Sequence, residues 1–148
     1  SRGLGDVYKR QLLDTCVIVD ALQNRMPFAT AAQDIFRLCA KERFIGCITA
    51  KASTDIYYLP HRCTHSDKDT RAILTKLFMI FDVLDTAGSD CRKAITSQLS
   101  DYEDAVMVET AVRTQMDCIV TRNGRDYANA DLPVYSPEQF LQMMTSEA

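Results

Sequence analysis

Short apolar runs alternate with segments of helical periodicity along almost this whole chain, and that alternation constrains the fold more than any other feature. Leu12–Val19 (LLDTCVIV), Phe44–Ile48, Met79–Leu84, Cys118–Thr121 and Val134–Tyr135 have the length and β-branched content of buried strands. Between them lie amphipathic helices. Behind Pro27, the residues Ala31, Ala32, Ile35, Phe36 and Cys39 share one face of a helix running to about Lys41. Thr49 caps a helix over Ala50–Leu59 that Pro60 closes. Ser66 or Asp67 opens the next, which turns Ile73, Leu74, Leu77 and Phe78 inward. Gly88–Ser89 opens another with Ala94, Ile95 and Leu99 inward, and Tyr102–Met116 repeats apolar residues at helical spacing. Pro137 and Gln139 after Ser136 start a last helix through about Met144.

Strands that alternate with helices imply an α/β fold. The expected architecture is a three-layer α/β/α sandwich around a central, mainly parallel, twisted sheet. No repeat, linker or low-complexity block divides it, so residues 12–148 read as a single domain. Residues 1–11 (SRGLGDVYKRQ) are polar and aperiodic, and read as a disordered or non-native lead-in.

Charge narrows the function. Seventeen Lys+Arg against twenty Asp+Glu give a net charge of −3 across 148 residues. That balance excludes a generally basic nucleic-acid binder, but not an enzyme that meets nucleic acid through metal ions and a local patch. Six cysteines form no C-x-x-C pair, and several sit inside apolar runs as small hydrophobes. With only His61 and His65 beside them, a zinc site has little support. No apolar run approaches the roughly 20 residues that span a bilayer, and no signal-peptide core is present. A cytoplasmic protein without membrane partners is expected.

In an open parallel sheet, ligands bind beyond the carboxyl ends of the strands. Asp14 lies inside the first apolar run, a costly place for a charge unless something answers it. Asp55 is early in the helix after the second strand, and Asp104 opens the helix before the fourth. Thr121, Asn123 and Asp126 follow that strand in TRNGRDY. Each has a plain structural alternative. Asp14 suits a strand-end cap, Asp55 and Asp104 suit the positive end of a helix dipole, and Asn123–Gly124 suits a turn. His61, Arg62, Lys68, Arg71 and Lys76, with Arg122 and Arg125, are either phosphate contacts or solvated surface. Tyr57 and Tyr58 read as packing residues, and Asp20 as the start of a short helix.

Three segments together resemble the PIN-domain nucleases, in particular VapC-like toxin ribonucleases. LLDTCVIVD is similar to the family's first strand, with its Asp followed by Thr15. DYEDAVMVETA is similar to its acidic helix start, and CIVTRNGRDY to a strand-to-loop segment of the form T-x-[DN]-x-x-[DH]-[FY]. The likeness covers the chain from Leu12 onward. It implies catalytic roles for Asp14, Asp55, Asp104 and Asp126, with Asp14, Asp104 and Asp126 binding Mg²⁺ or Mn²⁺. Thr15, Thr121 and Asn123 are implied to support the acids or the substrate. The chain also departs from the pattern. Asp55 stands where many members have Glu, and Cys16 replaces the usual Asn. Asn123 stands where many have Asp, which leaves Asn123 and Asp126 as the candidates to complete the acidic set.

The resemblance implies RNA hydrolysis leaving a 5′-phosphate and a 3′-hydroxyl, a homodimer, and a cognate antitoxin whose flexible arm occupies the acidic cleft. Physics supports a metal. Three carboxylates about 5 Å apart repel by roughly 10 kcal/mol in total at an effective dielectric near 20, which rivals the stability of a whole domain. Hard oxygen ligands favour Mg²⁺ or Mn²⁺. One rival reading is a PIN-like binding or regulatory domain whose catalysis has decayed, motivated by Cys16, Asn123 and the short Asp55. Another is a phosphatase or a receiver domain. The second acid of a D-x-D pair is missing after Asp14, and no late-strand Lys is evident.

Overall fold

The computed structural model describes residues 10–146. Five strands form one sheet, β1 (Arg10–Leu13), β2 (Ile45–Thr49), β3 (Asp82–Leu84), β4 (Cys118–Val120) and β5 (Val134–Tyr135), in the order β3-β2-β1-β4-β5. All pairings are parallel, with Leu12 beside both Cys47 and Ile119, and Leu13 beside Val120. The helices are α1 (Thr15–Leu22), α2 (Ala29–Ala40), α3 (Ala50–Thr64), α4 (Asp67–Ile80), α5 (Gly88–Ala94), α6 (Tyr102–Arg113) and α7 (Pro137–Ser146). A 3₁₀ turn over Gly124–Tyr127 follows β4.

Period-two alternation along the strands builds the three layers. Leu13, Ile48, Cys118 and Val120 face one side, where they pack with Val17 and Ile18 of α1, Ile35 of α2, Ile56 of α3, Leu77 of α4 and Phe140 of α7. Leu12, Cys47 and Ile119 face the other side, against Met107, Val108 and Ala111 of α6 and Tyr127. Ala94 of α5 joins that layer through Ala105 and Val106. The expected sandwich is therefore observed, and its sheet is wholly parallel. Gly46 lets β2 approach its neighbours closely: a Cβ there would stand 2.8 Å from Phe81 and 2.9 Å from the Cys39 sulfur.

Several expected boundaries move, each for a local reason. The run Leu12–Val19 is not one strand: β1 ends at Leu13, Asp14 adopts extended N-cap geometry, and the chain turns helical at Thr15. Val17, Ile18, Val19, Asp20 and Ala21 are all buried. A helix apolar around its circumference shows no 3.6-residue period, so β-branched content mimics a strand. Asp20 is consequently inside α1 rather than opening a helix. Pro60 lies within α3, which continues to a left-handed cap at His65. The third strand is only Asp82–Leu84, because α4 persists to Ile80 and Phe81 N–H donates to Leu77 O. α5 stops at Ala94, leaving Ile95 largely exposed rather than inward, and α6 stops at Arg113. β1 already contains Arg10 and Gln11, so the expected boundary at residue 12 falls within a strand; the rest of the lead-in lies outside the described residues.

Candidate active site

The strand order reverses at β1. Its successors β2 and β3 extend to one side, while β4 and β5 lie on the other. Ligand sites in open α/β sheets form at such a switch point, beyond the carboxyl ends of the strands. Two of the expected acids stand there.

Asp14 follows β1 directly, and its backbone N–H donates to Val120 O, which ties the turn to β4. The residue is 8% exposed. Its Oδ2 accepts a 2.7 Å hydrogen bond from Thr121 Oγ1 and lies 3.4 Å from the Tyr127 hydroxyl and 3.6 Å from Cys16 Sγ. Thr121 is fully buried just after β4, and its Oγ1 accepts from Asn123 N–H as it donates to Asp14. Thr121 and the Asn123 backbone thus act on Asp14 in series. Burial and the Asp14 charge push the Cys16 thiol up to about 11, so it stays protonated and is no nucleophile.

Asp104 enters from the other side of the sheet. Asp101 caps α6 by accepting from Asp104 N–H, and this fixes the first turn. Asp104 Oδ1 accepts a 3.0 Å hydrogen bond from Tyr127. Burial pushes its carboxyl up to about 6. Donation from Tyr127 opposes that rise, whereas the charges of Asp101, Asp14 and Asp126 add to it. Tyr127 itself is 2% exposed. It links the two acids, yet its sequence position carries only an aromatic expectation. The available signal is that a tyrosine placed in a core must find a partner for its hydroxyl.

The other expected residues are less closely gathered. Asn123, just before the 3₁₀ turn, and Asp126, on it, are exposed, and Asp126 acts on Asp104 through its charge. Asp55 does not join the pair. It forms a 3.2 Å ion pair with Lys51, whose Nζ also lies 2.8 Å from Glu103. Thr15, Thr49, Lys51, Thr86 and Glu103 line a crevice at these strand ends. Among the described residues, no three His, Cys, Asp or Glu side chains stand close enough to hold a metal ion. Of the expected set, Asp14 and Asp104 share the Tyr127 hydroxyl, whereas the exposed Asp126 acts on Asp104 through its charge and Lys51 answers Asp55.

Three of the basic residues, Arg122, Arg71 and His61, are engaged. Arg122 forms a 2.7 Å ion pair with buried Asp20 and stacks 4.4 Å above the Phe28 ring. Arg71 pairs with Asp67 at 2.7 Å. Tyr57 hydrogen-bonds Asp67 and stacks on His61.

A PIN domain family model matches residues 10–125. The chain belongs to the PIN-domain family. Solved structures of the same fold include VapBC2 from Rickettsia felis bound to a promoter DNA fragment, at 12% identity and a TM-score of 0.65, covering 85% of this chain and 97% of that one. DNA-bound VapBC from Salmonella typhimurium shows 14% identity and a TM-score of 0.64, with 86% and 98% covered. FitAcB from Neisseria gonorrhoeae shows 17% and 0.64, again with 86% and 98% covered. No curated protein sequence matches significantly. At these identities the likeness is one of fold.

Proposed function

We propose that this PIN domain is a divalent-metal-dependent endoribonuclease and the toxin of a toxin–antitoxin pair. The observation that carries the reading is the Asp14–Asp104 pair. Two carboxylates from separate elements meet through one hydroxyl at the switch point, and among the described residues neither has an ion-pair partner. Hard oxygen donors without a counter-charge suit Mg²⁺ or Mn²⁺. Asp14 and Asp104 would hold the ion, and Asp126 would approach it from the rim. When bound, such an ion supplies an activated water and neutralises charge developing on a phosphodiester.

The chain's own groups do the rest. Thr121 fixes the Asp14 carboxylate, and the Asn123 N–H fixes Thr121. Asn123 and Arg125, both exposed, would orient phosphate oxygens, and Thr15 lines the adjoining crevice. Asp55 contributes indirectly, by restraining Lys51. The products expected are a 5′-phosphate and a 3′-hydroxyl. The fold shared with VapBC and FitAB proteins supports a protein antitoxin as partner; a homodimeric toxin in the cytoplasm completes the proposal. No helix among the described residues is long and apolar enough to cross a membrane.

The test is cleavage of a defined RNA pool in Mn²⁺ and in EDTA, with product ends mapped. Asp14→Asn and Asp104→Asn should each lose more than the ~10–100-fold typical of groups that only support a metal ligand, with folding retained. Unchanged cleavage by both variants sinks the proposal. The Lys51–Asp55 ion pair and the neutral Asn123 favour a second reading, a PIN-like domain that binds RNA or protein without cutting. RNA binding without saturable Mn²⁺ binding in calorimetry would establish it.

A further inference from the structure

We infer that Tyr127 is a positioning residue which, from the core side, holds one oxygen of Asp14 and one of Asp104 and so presents the remaining oxygen of each to a common cation. The inference rests on the metal-dependent reading above. It adds a residue whose role is to shape the ligand pair rather than to touch metal or RNA.

Asp14 uses only Oδ2 within the protein, accepting from Thr121 and approached by Tyr127 and Cys16. Asp104 uses only Oδ1, accepting from Tyr127. Asp14 Oδ1 and Asp104 Oδ2 accept no hydrogen bond among the described residues, so one oxygen on each acid is left for a further ligand. Tyr127 reaches the pair from below. Its ring is buried with Leu12, Ile119, Met107 and Ala111, and its hydroxyl also lies 3.7 Å from Met107 Sδ. A ring packed this way holds its hydroxyl in place at little entropic cost, since few torsions must be frozen.

A single O–H proton can serve only one carboxylate at a time, yet both acids approach the same oxygen, at 3.0 and 3.4 Å. The hydroxyl therefore spaces the acids as well as binding them. Groups that orient a metal ligand typically change metal affinity ~10–100-fold when removed.

Tyr127→Phe keeps the ring and deletes only the hydroxyl, with its contacts to the two acids and to Met107 Sδ. Calorimetric titration of the whole chain with Mn²⁺ should show roughly a tenfold weaker dissociation constant for the variant, with thermal unfolding confirming that it folds. RNA cleavage by the variant should be low at limiting Mn²⁺ and return toward the parent's rate at saturating Mn²⁺, a rescue that general loosening of the core would not give. Thr121→Val, which removes the other restraint on Asp14 Oδ2, should behave in the same direction and provides the measurement if Tyr127→Phe does not fold. Equal Mn²⁺ affinity in parent and folded variant overturns the role of Tyr127 while leaving metal dependence intact. Absence of saturable Mn²⁺ binding in the parent overturns both.

Discussion

Two carboxylates, the buried Asp90 and the half-buried Asp104, lie on neighbouring helices and meet opposite fates. Asp90 is 1% exposed and fully answered. It accepts from Arg113 Nε at 2.9 Å and Nη2 at 3.0 Å, from Thr110 Oγ1 at 2.8 Å and from Ala87 N–H at 2.9 Å. Burial alone would raise its pKa, but those donors more than offset it and hold the carboxyl at about 2. Asp104 has one tyrosine hydroxyl and three acidic neighbours, and stands at about 6. The contrast separates an acid satisfied within the fold from the one proposed to act in the site. The first brings its counter-charge within the chain and pins α5 to α6, whereas the second is left short of positive charge at a ligand-binding edge.

The comparison can be broken most forcefully at its functional arm. Asp104→Asn should abolish metal-dependent RNA cleavage, measured as initial rate in Mn²⁺, while Asp90→Asn should change cleavage only as far as it lowers stability. Next in size, Arg113→Met strands a buried charge and should cost about 3–5 kcal/mol by urea unfolding. A loss below about 1 kcal/mol would place Asp90 in contact with solvent. The pH response comes third. A carboxyl whose pKa is raised on folding adds stability that is complete below its unfolded value, about 4, and is lost as pH rises through about 6. In EDTA the parent should therefore gain Tm relative to Asp104→Asn as pH falls from 7 to 4. Asp90 has the opposite sign: its contribution holds above about 4 and disappears as pH falls toward about 2. A flat difference between parent and Asp104→Asn would remove the distinction between the two acids. The smallest effect concerns another buried polar group. Gln11 is fully buried in β1 with neither amide atom hydrogen-bonded. Gln11→Leu should stabilise the chain by about 1–3 kcal/mol in the same urea assay.

Much of this was legible in the sequence, and the limits have physical causes. Alternating strands and helices announced the sandwich, and the apolar setting of Asp14 and the helix-opening Asp104 marked the two central acids. The identity of α1 was hidden because its burial on nearly every side erases the helical period. Tyr127 was hidden because an aromatic in a known pattern explains itself by packing, while its hydroxyl's target is set by tertiary approach. Lys51 and Asp55 stand four residues apart on α3, so their pairing could be read from spacing alone. The Asp20–Arg122 and Asp90–Arg113 pairs span 102 and 23 positions, and no local rule foresees them.

The Asp20–Arg122 pair has a mechanical consequence. The first helix is fastened to the segment after β4 at two points: Thr121 grips Asp14 at the helix's leading end, and Arg122 grips Asp20. Six residues separate the fastenings, about 9 Å along a helix axis. One fastening would let the helix swivel; two leave it only a rocking motion about the line that joins them. Any displacement of the helix must therefore carry the loop with it, so that the two behave as one body.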